Sequence, residues 1–219
     1  MRLGILFGLA LVVATAHAAD VAGDLDAVRK AAPTCDRTRA HCFGIQLHIA
    51  ADAHGLAASP EWIATQVATA NRHFARLDVG FEVVGVDQLP ESALHVANRR
   101  ERDELAAGRL GGPVIHVFVV GQLDDVDEED AIAYGVTWHT RTDDRKYVIV
   151  SNAALERTLA HELGHFFGLP HSTYAISIMN KSERDDPPMD QRTFADEEIE
   201  AMKPVLHRLL RDHVIADVR

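Results

Sequence analysis

The stretch His161–His171, HELGHFFGLPH, places three histidines, a glutamate and a glycine at offsets that suit a single metal ion. On a helix, residues four apart lie about 40° from each other around the axis and one turn along it, so His161 and His165 project side by side. Two imidazoles so placed reach one ion, with Zn–N near 2.0–2.1 Å. Glu162 is displaced around the helix from His161. Its carboxylate falls beside the ion rather than on it, where it can take a proton from bound water. His171 lies ten residues past His161, and a straight helix would leave it roughly 80° away and about 15 Å along the axis. Gly168 admits the left-handed conformation that ends a helix, and Leu169-Pro170 does not readily continue one. The chain is therefore expected to turn back and bring His171 onto the same ion. Three neutral imidazoles with a fourth position open describe a catalytic zinc site, not a closed structural one.

Working outward, the segment Ala153–Gly168 reads as helical, with Ser151 or Asn152 as its cap. Upstream, Cys42–Ala50 alternates apolar and polar residues as a strand does. Next, Ser59-Pro60-Glu61 opens a helix whose apolar face carries Ile63, Val67, Ala70, Phe74 and Leu77. Val79–Leu89 is a second strand, and strand–helix–strand predicts a parallel pair. Residues 91–112 are charged and partly helical. Val114–Gly121 is a near-continuous apolar run suited to a central strand. Ile132–Thr140 and Lys146–Asn152 complete five strands. A last helix begins near Thr193, with acidic residues leading and basic ones trailing, as the helix dipole favours. Pro204 is expected to kink or break it. The fold class is α/β (α+β), a mostly parallel five-stranded sheet with helices.

The chain of 219 residues is 47% hydrophobic and 25% charged, which suits one globular domain with a real core. Residues 1–18 read as a secretory signal peptide. One Arg precedes an apolar run shorter than the ~20 residues a spanning helix needs, and Ala16-His17-Ala18 makes a small-x-small cleavage site. The mature protein is thus expected to be secreted or periplasmic. A net charge of −11 repels phosphate backbones and anionic lipid, so nucleic acid and membranes are excluded as partners. Cys35 and Cys42 are the only cysteines. In an exported chain they form a disulfide, or one of them acts as a latency thiolate capping the metal. The division expected is 1–18 signal, 19–42 an N-terminal segment with that disulfide or a short latency element, and 43–219 the catalytic domain.

The form H-E-x-x-H-x-x-G-x-x-H, followed by Met179 in "SIMN", resembles the metzincin zinc metallopeptidases, whose signature joins this motif to a downstream Met-turn. The resemblance covers about residues 43–215. It implies a mixed five-stranded sheet with one antiparallel edge strand, here Ile132–Thr140, which would pair with an extended peptide. It also implies zinc on His161, His165 and His171, Glu162 as general base, and Met179 as a floor beneath the metal. Some members place a tyrosine ligand two residues after that methionine. This chain has Lys181 there, so no such ligand is expected. Ser172 after the third histidine is somewhat matrixin-like.

Other features point less sharply. The run Asp124, Asp125, Asp127, Glu128, Glu129, Asp130 offers oxygen ligands for calcium, although it lacks EF-hand spacing and acidic loops are usually just solvated. Trp138 and His139 either border the cleft or, for His139, lie on the surface. His48 and His116 read as satisfied sheet residues, His207 and His213 as surface. The function expected is an exported zinc endopeptidase acting on peptide or protein substrates. A zinc hydrolase of a non-peptide amide and an idle zinc-stabilised binding domain are the rivals.

Overall fold

The computed structural model describes residues 21–140, 145–182 and 184–218, so the expected signal segment, residues 1–18, lies outside the described residues. Residues 21–31 form helix α1. Strand β1 (His41–Asp52) runs through the middle of the sheet, turning at its end into the two-residue β2 (Gly55–Leu56). Helix α2 (Pro60–Phe74) follows, then β3 (Val79–Leu89), β4 (His95–Val96) and α3 (Arg99–Ala106). β5 (Ile115–Val120), β6 (Gln122–Leu123), β7 (Gly135–His139) and β8 (Lys146–Ser151) complete the strands. Helices α4 (Thr158–Phe166) and α5 (Asp196–Arg211) close the chain.

The five main strands lie in the order β3-β1-β5-β8-β7. β3, β1, β5 and β8 are parallel, and β7 runs antiparallel on β8 from Gly135↔Val150 to His139↔Lys146. This is the expected sheet, with the antiparallel strand at one edge. β1 alternates its side chains between two cores. Phe43, Ile45, Leu47 and Ile49 face the layer formed with α2, α4 and α5, where Val67, Phe74, Leu163, Phe167 and Met202 are buried. Ala50, Phe118, Tyr147 and Ile149 join the second core, with Leu105 of α3. β5 is buried along its whole length, as its near-continuous apolar run suggests, with His116 its one polar residue.

Three expectations need correction. α4 begins at Thr158 rather than near Ala153, and neither Ser151 nor Asn152 caps it. The cap comes from another helix: buried Gln66 of α2 accepts the Leu159 N–H (3.1 Å) and donates to the Leu155 carbonyl (2.9 Å). α5 starts at Asp196 and runs unbroken through Pro204. That proline is exposed, so the carbonyl deprived of its N–H partner lies on the side of the helix open to water. β7 starts at Gly135, because Ile132 and Ala133 instead pair with Asp124 and Leu123 of the acidic loop. Of the two readings of the cysteines, the disulfide is the one observed: Cys35 and Cys42 are joined, and a Cβ added at Gly80 of β3 would meet the Cys35 sulfur. Neither sulfur is a free thiolate for the histidines. The preceding segment is built into the domain: Val28 of α1 enters the main core and Arg29 donates to the Val86 carbonyl.

Candidate metal centre

α4 carries His161 and His165 toward one point, and the turn after it delivers His171. Gly168 has φ +92°, the left-handed conformation expected of it. Its N–H donates to the His165 carbonyl and the Leu169 N–H to the Gly164 carbonyl, both at 2.9 Å, which satisfies the last carbonyls of the helix. The turn also orients the His165 ring, whose Nδ1 donates to the Leu169 carbonyl at 2.7 Å. His161 Nδ1 donates to the Ile178 carbonyl at 2.8 Å.

These two bonds set the tautomers: with the proton on Nδ1, each Nε2 presents a bare lone pair. The Nε2 atoms of His161 and His171 each lie 3.2 Å from that of His165. Two lone pairs facing at that distance repel unless a cation lies between them. Two nitrogens 2.0–2.1 Å from one tetrahedral ion would be about 3.3–3.4 Å apart. Among the described residues these three histidines are the one set of such side chains that could hold a metal ion. Burial pushes His161 and His171 down to about 4 and lowers His165 as well, which keeps all three rings neutral.

Glu162 is buried, 5% exposed. Burial pushes its carboxyl up to about 7, against the opposing pull of the Thr137 hydroxyl. Thr137 Oγ1 lies 3.1 Å from Glu162 Oε2 and 2.5 Å from the Glu162 carbonyl oxygen. Thr137 is on β7, so the edge strand holds the acidic side chain directly. A Cβ at Gly135, two residues earlier on the same face, would come within 3.0 Å of Glu162 Cγ. Trp138 points to the other face, where its indole N–H donates to Asp103 and Arg102 stacks on its ring. His139 is exposed at the end of β7.

Met179 is fully buried beneath α4. A Cβ at Gly164 would meet its sulfur at 2.6 Å, so the helix needs glycine there to admit the methionine. Buried Glu198, at the start of α5, accepts from the Ala195 N–H and the Ser177 hydroxyl, while Ser177 Oγ accepts the Met179 N–H at 2.8 Å. Sequence reading singled out none of Thr137, Gly135, Gly164, Ser177 and Glu198 for the site. Glu198 carried a signal, an acid in the first turn of a helix, but its partner came from elsewhere in the chain. The acidic loop is drawn into other bonds: Asp124 with His95 and Gln122, and Asp127 with Arg99.

The mixed sheet with its antiparallel edge, and a three-histidine centre on the adjoining helix, are those of the metzincin-like zinc metallopeptidases. The chain belongs to the matrixin family, whose model matches residues 34–203. Among solved structures it is similar to archaemetzincin from Methanopyrus kandleri, at 20% identity and TM-score 0.54 over 78% of this chain and 98% of that one. It is also similar to metalloproteinase-II from Bacteroides fragilis, at 12% identity and TM-score 0.53 over 77% of this chain and 54% of that one. Both likenesses are of fold. A search of curated proteins found no match.

Proposed function

We propose that this matrixin is an exported zinc endopeptidase, with His161, His165 and His171 as the metal ligands and Glu162 as the general base. The observation that carries the reading is the buried Glu162 carboxyl, on the helix that brings two of three converging imidazoles together and tied to the edge strand through Thr137. Zinc bound there supplies a Lewis acid that acidifies water and polarises the scissile carbonyl. Glu162 takes the proton from the attacking water and passes it to the departing amine. Its raised proton affinity suits the second half of that task, and a nearby cation favours the ionised form needed for the first. The Thr137 hydroxyl, shared between the Glu162 carbonyl and carboxylate oxygens, keeps the carboxylate against the edge strand.

β7 pairs only with β8 among the described strands, so its outer edge offers backbone groups to an extended peptide. Thr137 on that strand touches Glu162, which would bring a peptide added there to the base. This geometry favours peptide over a compact non-peptide amide.

Zinc-loaded Glu162→Gln tests the assignment. Expected is one equivalent of bound metal with peptide turnover reduced at least roughly a thousandfold. Retained turnover would remove Glu162 from the mechanism. A wild-type protein that binds zinc but hydrolyses only non-peptide amides would refute the endopeptidase reading.

A further inference from the structure

Lys181 stands at the rim of the histidine cluster. The segment before it is pinned to the site at three points: the Ile178 carbonyl accepts from His161, the Met179 carbonyl accepts from the Ser172 N–H beside His171, and Asn180 Nδ2 donates to the Tyr174 carbonyl. Asn180 Oδ1 then accepts the Ser182 N–H, and Lys181 between them is exposed. Among the described residues it forms no ion pair. Many other cations of this acidic chain do, as in Arg37–Glu82, Arg76–Asp196, Arg99–Asp127 and Lys203–Glu200.

The field at the site agrees with this placement. Lys181 disfavours a proton on His161, His165 and His171 and favours the anion of Glu162. The other outside charges acting on these groups are Lys146 and Arg102, also cations. Lys146 approaches the Phe166 carbonyl and Arg102 is buried against Trp138, whereas Lys181 faces solvent. In a protein of net charge −11, an exposed lysine beside the site offers an anionic ligand a local point of attraction.

We propose that Lys181 is a specificity-determining residue that receives a substrate carboxylate close to the scissile bond, carried either by an Asp or Glu side chain or by the C-terminus of the peptide. This rests on the peptidase reading above. A lysine ammonium is a point charge on a flexible stem, so it suits a carboxylate whose position varies between substrates.

The test uses the zinc-loaded full chain and matched peptides. One series exchanges Glu for Gln at successive positions on both sides of the cleaved bond. The other compares free with amidated C-termini. Wild type should prefer the acidic member of at least one series by about fivefold in kcat/KM, the upper end for an exposed ion pair. The preference should fade with added salt, disappear in Lys181→Gln and reverse in Lys181→Glu. The responding series identifies the source of the carboxylate. The same pairs are measured for binding to zinc-loaded Glu162→Gln by fluorescence anisotropy, which reads Lys181 without turnover. No acidic preference in either measurement, or one that survives Lys181→Glu, overturns the proposal. Failure to cleave any peptide would instead strike the endopeptidase reading, and the binding ratio would still decide Lys181.

Discussion

Gly164→Ala sets two physical effects against each other at one position of the zinc-site helix. Helix propensity favours alanine over glycine by about 1 kcal/mol in a helix interior. Packing opposes it: the added Cβ would lie 2.6 Å from Met179 Sδ and 3.1 Å from Phe194 Cε1, both in fully buried side chains. Overpacking of this kind costs about 1–3 kcal/mol, so the net expectation is a loss of up to about 2 kcal/mol. In a chain of this length a loss of about 2 kcal/mol lowers Tm by roughly 4–8 °C. Displacing Met179 also shifts the neighbouring Ile178 carbonyl that orients His161, and loss of such support typically costs about 10–100-fold in metal affinity. The assay is urea denaturation of chelator-treated protein, paired with competition titration for zinc. Gly23→Ala is the internal control: Gly23 is in α1 and nothing lies within 4 Å of its added Cβ. The same substitution there should stabilise by a few tenths to about 1 kcal/mol. If Gly164→Ala matches the control in sign and keeps wild-type zinc affinity, the close-approach argument is wrong.

Three further expectations follow from particular contacts. Glu198→Ala strands the Ala195 N–H and the Ser177 hydroxyl, and should cost about 2–4 kcal/mol in chemical denaturation while weakening zinc binding. Burial pushes His48 and His73 from an ordinary 6.5 down to about 4. The unfolded chain therefore binds more protons between those values. Stability is full above about pH 6.5 and declines as pH falls through 4, by about 3 kcal/mol per ring. Denaturation of the metal-free protein across that range checks this, and His73→Gln should flatten the slope; an unchanged slope would exclude His73 as a source. Replacing Cys35 and Cys42 by serine reopens a short loop packed on β3 and should cost about 2–3 kcal/mol. Zinc affinity should not change, and a large loss would show coupling between the two regions.

Much of the molecule was legible in advance because its determinants are local. Helical spacing puts His161 and His165 on one face. Gly168 must take a positive φ for His171 to return, and Ser59-Pro60 starts α2 as those residues do elsewhere, with Ser59 Oγ accepting the Trp62 N–H. The near-continuous apolar run of β5 called for burial on both sides of a sheet, and it has that.

Tertiary structure decided what local pattern could not. The start of α4 depends on Gln66, more than ninety residues earlier. The orientation of Glu162 depends on Thr137, which an alternating strand could have turned to either face, and the seating of Met179 depends on Glu198 at the head of another helix. Local spacing specifies which residues converge, because position along one helix and one turn is a property of neighbouring dihedrals. Which buried polar groups hold them was decided only on folding, because each buried donor and acceptor must find a partner and the available partner came from a distant segment.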